Sequence, residues 1–213
     1  MATVIACLSP KGGGGKTTIV TNVARAFQTY GTVIIIDTDP QQTAGNWADH
    51  AAEDYPPVWV GETKNLKMDV ERLKSLFDFV FIDGAASLDE VIADALAGSD
   101  VVLIPVRPSL ADIWAISDMV DVIERARSAR KGRPSPVFVI SQQGIGTRLA
   151  AGVETPLGQY DIPVLENRTS IRIAYAEALS AGYSVIDYQP KGKAAAEIKA
   201  IANEIKELID AEV

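Results

Sequence analysis

A single cysteine and a single histidine in 213 residues narrow the chemistry at once. Cys7 alone forms no intramolecular disulfide, and its place inside an apolar run suits a small buried side chain rather than a redox centre. With His50 as the only imidazole, a histidine-based metal cluster or catalytic triad is excluded. No apolar stretch approaches the roughly 20 residues that span a bilayer, and neither an internal repeat nor a low-complexity linker interrupts the chain. The first strand-like run is under way by Thr3, so neither a signal peptide nor an extra N-terminal domain is expected, and a cytoplasmic location is. A basic surplus is also missing: the net charge of −8 argues against nucleic acid as the partner of the whole surface. The charge is unevenly spread, however. Arg125, Arg127, Arg130, Lys131 and Arg133 crowd one segment against the single acid Glu124. Such a run is either a weak, salt-sensitive phosphate-binding face or a solvated helix end that complements its dipole.

What the chain does have is apolar material, 47% of its residues, enough for one sizeable core over residues 1–213. Short β-branched or aromatic runs at 4–8, 33–37, 79–83, 101–105 and 137–141 alternate with helix-like segments at 18–30, 43–52, 68–76, 88–97, 111–129, 173–181 and 194–209. Strands apolar on both faces predict an α/β fold, a mostly parallel doubly wound sheet with helices on each side. Ligands of such sheets bind beyond the carboxyl ends of the strands.

The most informative residues lie at the first of those ends. Residues 10–18 read Pro-Lys-Gly-Gly-Gly-Gly-Lys-Thr-Thr, between an apolar strand and a helix. A glycine-rich turn there lets backbone N–H groups and a helix N-terminus converge on phosphates. Gly12, Gly13, Gly14, Gly15 and Thr18 would form the cradle, Lys16 would reach the β- and γ-phosphates, and the Thr17 hydroxyl would ligate Mg²⁺. Pro10 stands where the strict pattern has its first glycine, and Lys11 adds a second lysine just inside the loop. Downstream, Asp-Thr-Asp-Pro-Gln (37–41) closes the second apolar run, and two carboxylates at i, i+2 on a strand end point the same way. Phe-Val-Phe-Ile-Asp-Gly (79–84) closes the next with Asp83, a residue suited to holding Mg²⁺, in part through water. Gly84, Ala85 and Ala86 after it would permit a close backbone approach near the γ-phosphate.

In this order and spacing, Lys-Gly-Gly-x-Gly-Lys-Thr-Thr, Asp-x-Asp-Pro-Gln and the apolar strand ending in Asp83 resemble the ParA/MinD superfamily of partitioning and positioning ATPases, P-loop NTPases with a deviant Walker A loop. The resemblance covers nearly the whole chain and is to the compact form that lacks an N-terminal helix-turn-helix domain. It implies ATP and Mg²⁺ as ligands, and an ATP-sandwich homodimer in which Lys11 reaches across to the partner's phosphates. It further implies that Asp39 positions or deprotonates the attacking water and also helps hold Mg²⁺, in part through water, and that Asp37 supports Mg²⁺ or the loop. Pro105 to Pro108 would border the purine, or simply stiffen their loop. In the segment 166–178 an arginine, Arg168 or Arg172, would contact duplex DNA without sequence preference, with Lys191 and Lys193 extending the patch. Surface arginines capping a helix are the plainer alternative.

The resemblance implies slow hydrolysis until a cargo-bound adaptor, ParB-like or centromere-binding, stimulates it, and nucleoid association when ATP is bound. Compactness points to plasmid segregation. A MinD-like membrane-surface ATPase is the competing reading, opposed by the acids at 210 and 212 that end the closing helix, whose apolar stripe reads as core. A dethiobiotin-synthetase-like ligase is another. The iron–sulfur relatives need cysteines that are absent.

Overall fold

A computed structural model describes residues 2–60, 65–85, 90–144 and 154–211. In chain order it contains β1 (Thr3–Cys7), α1 (Lys16–Phe27), β2 (Val33–Asp37), α2 (Thr43–Ala48), β3 (Val58–Val60), α3 (Leu66–Leu73), β4 (Phe79–Asp83), α4 (Glu90–Gly98), β5 (Val101–Val106), α5 (Leu110–Ala129), β6 (Ser135–Ile140), α6 (Glu154–Leu157), α7 (Ile173–Ser180), α8 (Val185–Tyr188) and α9 (Lys193–Ala211). The strands form one six-stranded sheet in the order β3-β2-β4-β1-β5-β6, and every pairing in it is parallel.

The doubly apolar strands explain the two-sided architecture. Successive side chains of a strand alternate between faces. Ile5, Cys7, Ile35, Phe81, Leu103 and Val139 accordingly pack with α1, α7 and α9 in one core cluster. Their sequence neighbours Val4, Ala6, Ile36, Ile82, Ile104 and Phe138 pack with α3, α4 and α5 in a second. Each cluster is a separate hydrophobic contribution, at about 25 cal/mol per Å² of apolar surface removed from water.

Two strands, β2 and β4, fall on the expected boundaries. The first helix begins two residues earlier than its pattern suggests, at Lys16, because left-handed Gly15 (φ 87°) already ends the loop. The edge strand β3 was not expected. It has three residues, follows Pro56 and Pro57, and leaves Trp59 and Val60 exposed, so it carries neither the length nor the pattern of a buried strand. The strand expected as third is therefore β4. The short α6 and α8 went unforeseen for want of a full helical period. Ile198, Ile201 and Ile205 of α9 are fully buried, which puts that helix's apolar stripe in the core. The residue pair 88–89, with which the fourth helix was expected to start, lies outside the described residues, as do Ala86 and the terminal Glu212 and Val213.

Candidate functional site

The loop between β1 and α1 is shaped by its glycines and strapped by β6. Gly13 and Gly15 take left-handed φ values of 76° and 87°, which a side chain would strain. The Ser141 hydroxyl donates to the Gly14 carbonyl at 2.8 Å, and Gln142 Nε2 donates to the Gly13 carbonyl at 2.9 Å. In a trans peptide the following N–H points opposite to the carbonyl. The amides of Gly14 and Gly15 therefore aim away from β6, as a phosphate cradle requires. Lys16 is only 6% exposed, and its ammonium donates to Ser9 Oγ at 3.3 Å inside the loop.

Thr17, one residue into α1, places its hydroxyl 2.7 Å from Asp83 Oδ2 and donates to it. Asp83 is fully buried at the end of β4. Burial pushes its carboxyl up to about 7, opposed by the Thr17 hydrogen bond and reinforced by the charge of Asp37. Its Oδ1 finds no hydrogen-bond partner among the described residues. An orphaned, buried carboxylate oxygen beside a threonine hydroxyl is the donor pair expected of a hard-cation site. Among the described residues, no group of three or more His, Cys, Asp or Glu side chains could hold a metal unaided. A cation at Thr17 and Asp83 would complete its shell with water and ligand oxygens, as Mg²⁺ does.

Asp37 and Asp39 part company. Asp37 lies in register with Asp83 on the neighbouring strand. Its Oδ1 accepts from the Asp39 amide at 3.0 Å and its Oδ2 from the Gly45 amide at 2.9 Å. Each oxygen accepts one backbone amide at the start of α2, so Asp37 anchors the turn that leads into that helix. β2 ends at Asp37. Asp39 therefore sits in the turn beyond it, and the pleat does not set its direction. Half-buried Asp39 accepts from the Gln41 amide at 2.9 Å. Thr38 closes the gap to β4, donating its amide and its hydroxyl to the Asp83 carbonyl at 3.0 and 2.9 Å. Gly84 allows β4 to approach β1: a Cβ there would collide with Leu8.

Lys11 is exposed, and its ammonium donates to the Ala111 carbonyl at the start of α5, 2.7 Å away. Pro105 is not in a loop. It lies within β5, opposite Val139, and borders a niche of about 10 Å³ shared with Lys11 and Arg107, too small for a purine. Pro108 is half-buried between β5 and α5. A larger space lies on the other side of the loop. A cavity of about 340 Å³ opens beside Gly15 and Thr18, walled by Gln142, Thr169, Ile171 and Tyr175, within the size range of small-molecule sites. The sequence reading missed this wall. Its one legible sign was the polar Ser-Gln-Gln run at the carboxyl end of the last strand, where α/β sheets bind ligands.

The basic residues divide as well. Arg168, Arg172 and Lys193 line one open groove of about 630 Å³, whereas Lys191 is exposed in the turn before α9. Arg172 is not a loose surface arginine: its Nε and Nη2 donate to Glu197 Oε1 at 2.9 and 2.6 Å. Arg168 donates to the Glu166 carbonyl at 3.1 Å. Of the segment 125–133, Arg130 bonds the carbonyls of Leu96 and Ser99 behind α4, Arg133 pairs with Asp100, and Arg127 pairs with Glu124. Arg130 and Arg133 tie the end of α5 to the segment between α4 and β5, at the end of the sheet opposite the loop, whereas the Arg127 pair lies within α5.

Comparison with known proteins agrees with this geometry. A family model described as the CobQ/CobB/MinD/ParA nucleotide binding domain matches residues 5–208. The maintenance of carboxysome distribution protein A of Halothiobacillus neapolitanus is 32% identical over 211 residues, 96% of each chain. The chromosome-partitioning ATPase Soj of Thermus thermophilus is 25% identical over 234 residues, 94% of each. The solved septum site-determining protein MinD of Pyrococcus horikoshii, complexed with Mg-ADP, superposes with a TM-score of 0.78 at 18% identity, covering 100% of this chain and 99% of that one.

Proposed function

The chain belongs to the CobQ/CobB/MinD/ParA nucleotide-binding family, and we propose that it is an Mg²⁺-dependent ATPase that positions a cargo, cycling between a monomer and an ATP-bridged dimer on DNA. The observation that carries the catalytic half is the orphaned Asp83 Oδ1 beside the Thr17 hydroxyl at the mouth of the glycine loop.

In this reading the amides of Gly12 to Gly15, with Thr18 at the first turn of α1, hold the phosphate chain, and Lys16 neutralises its distal charge. Thr17 and Asp83 hold Mg²⁺, which when bound neutralises charge on the β- and γ-phosphate oxygens. Asp39 orients the attacking water, and Asp37 fixes the turn that carries Asp39 through the two backbone bonds it accepts. The nucleoside fills the cavity between Gly15 and Tyr175. Lys11 acts in trans: exposed at the loop, it exchanges the Ala111 carbonyl for a partner's phosphate only when two subunits are apposed, so ATP binding and dimerisation are linked. Basal turnover is slow for the same reason, and a cargo-bound adaptor completes the site.

Nonspecific duplex DNA occupies the groove of Arg168, Arg172 and Lys193, and the protein is cytoplasmic and nucleoid-associated when ATP-bound. The cargo is better argued from likeness than from compactness. A relative 32% identical, named for carboxysome distribution, favours a protein compartment over the plasmid that chain length alone suggests. Against a membrane-surface role, the apolar stripe of α9 is spent in the core.

The deciding experiment measures phosphate release and binding to duplex DNA of random sequence with ATP, ADP or no nucleotide, across a salt titration, for the wild type and Lys16→Ala. Mg²⁺-dependent hydrolysis with ATP-only, salt-sensitive DNA binding, both lost in Lys16→Ala, is expected. ATP-driven dimerisation without DNA binding in any state would remove the DNA half and turn the search to liposomes or a small-molecule acceptor.

A further inference from the structure

The nucleoside cavity and the basic groove share a wall. Ser170 and Arg172 line both, one cavity on each side of the segment that leads into α7. That segment is held by β6 through the Gln143 amide, which donates to the Thr169 carbonyl, and the Ile171 amide, which donates to the Gln143 carbonyl. Its other anchor is α9. Residues seven apart on a helix share a face, and α9 turns Glu197 and Glu204 toward this segment while its isoleucines face the core. Glu204 accepts from the amides of Glu166 and Asn167 at 2.6 and 3.0 Å.

Glu197 does more. It accepts the amide and hydroxyl of Ser170 at 3.2 and 2.8 Å, Nε and Nη2 of Arg172 at 2.9 and 2.6 Å, and the Tyr175 hydroxyl at 2.9 Å. Its side chain is only 16% exposed and that of Arg172 only 21%. One carboxylate thus fixes three consecutive features of the cavity wall: the turn at Ser170, the guanidinium of Arg172 and the ring of Tyr175.

We propose that Glu197 is a positioning residue that sets the wall of the nucleoside cavity from behind and, by the same grip, withholds Arg172 from the groove on the opposite side. The inference rests on the nucleotide reading above. Without Glu197 the tyrosine ring loses its tether and the cavity its shape, while the guanidinium becomes a free cation beside Arg168 and Lys193. A residue that only stabilised the fold would weaken every ligand together. This one should weaken nucleotide and strengthen the polyanion.

The test uses the full chain, a fluorescent methylanthraniloyl-ATP as the nucleotide probe, and a short mixed-sequence duplex as the polyanion, assayed without nucleotide. Glu197→Ala is expected to raise the Kd for the ATP analogue about tenfold, the scale of losing hydrogen bonds to a charged group. KM for ATP should rise by more than kcat falls. At low salt, where the weak nucleotide-free binding of the wild type can be titrated, duplex binding should tighten about threefold, and the gain should vanish in the double variant Arg172→Ala/Glu197→Ala, since one released cation is its source. Glu197→Gln keeps one acceptor oxygen, enough for the Ser170 amide and the Tyr175 hydroxyl that share Oε2, but loses the ion pair. It should fold with a melting temperature only modestly below that of the wild type, show the duplex gain, and lose less nucleotide affinity than the alanine variant. Unchanged affinity in a folded Glu197→Ala, or weaker nucleotide binding with no duplex gain in the folded glutamine variant, would overturn the proposal. A wild type that binds no ATP analogue at all would instead remove the nucleotide reading, and this inference with it.

Discussion

Asp37 and Asp83 end neighbouring strands, lie opposite each other in register, and are both hidden from solvent at 1% and 0% exposure. They are spent in opposite ways. Asp37 gives both oxygens to backbone amides at the start of α2. Asp83 gives one to Thr17 and leaves the other with no partner among the described residues. A buried carboxylate with every oxygen satisfied is framework; one with an idle oxygen carries an uncompensated desolvation cost that a bound cation offsets. On that criterion Glu197, with its five donors, belongs with Asp37. Burial does not separate function from scaffold here, but satisfaction does.

The sharpest way to break this contrast is to neutralise the two aspartates separately. Asp83→Asn should lower phosphate release by roughly two to three orders of magnitude, the scale of losing one preorganised electrostatic contact. Mg²⁺ should no longer add to the thermal stabilisation given by nucleotide. The melting temperature of the nucleotide-free variant should not fall, because an amide replaces a carboxylate whose burial is uncompensated. A variant hydrolysing within a few-fold of wild type would mean that the idle oxygen holds nothing.

Asp37→Ala should do the reverse. Leaving the amides of Asp39 and Gly45 unpaired is expected to cost roughly 2–3 kcal/mol of stability, read from urea midpoints. The Mg²⁺ concentration that half-saturates hydrolysis should stay put in Asp37→Asn, which still offers one carbonyl acceptor. If Asp37→Asn shifts that concentration as Asp83→Asn does, the two aspartates are joint ligands and the distinction fails.

Two threonines sharpen the same line at smaller scale. The Thr17 hydroxyl points to the Asp83 side chain and the Thr38 hydroxyl to the Asp83 backbone. Thr17→Val should cut hydrolysis about tenfold with little change in the melting temperature. Thr38→Val should cost about 1 kcal/mol of stability and leave the Mg²⁺ dependence of hydrolysis unaltered. Interchanged outcomes would place the cation on the β2 side of the site.

How far the sequence reached follows the same division. The glycine loop, Lys16, Thr17 and Asp83 are contiguous with apolar strands, and β2 and β4 were legible residue for residue because their apolar runs end sharply in acids. The backbone anchoring of Asp37 was not. Its partners are backbone amides, which no side-chain pattern announces. Nor was the cavity beside Gly15, which draws Gln142, Tyr175 and the tether at Glu197 from three distant segments. Pro105 lies where the pairing of β5 with β1 has already ended at Leu103, and β5 continues through it beside β6 to Val106. The arginines of 125–133 were ambiguous in sequence, since a basic run reads alike whether its charges meet solvent or helix carbonyls.

The smallest effect expected is a pH dependence on the framework side. Burial alone would raise the Glu197 carboxyl, but hydrogen bonds from Arg172 and Ser170 dominate together and hold it below the ordinary glutamate value. A carboxyl with a depressed folded pKa binds fewer protons in the native than in the unfolded chain, so stability rises with pH through that window. Its contribution is complete above the unfolded value of about 4.3 and is lost as pH falls through the lower folded value. Asp112 and Asp187, held low against burial by Arg107 and Arg25, add losses of the same sign. Those losses occur in the wild type and in Glu197→Gln alike and cancel in their difference. The stability gap between the two, taken from urea midpoints, should therefore be flat from pH 7 to about 5 and narrow below about 4. A gap that stays constant down to pH 3 would mean that the Glu197 hydrogen bonds do not distinguish carboxylate from amide, and that its grip on the cavity wall is one of shape alone.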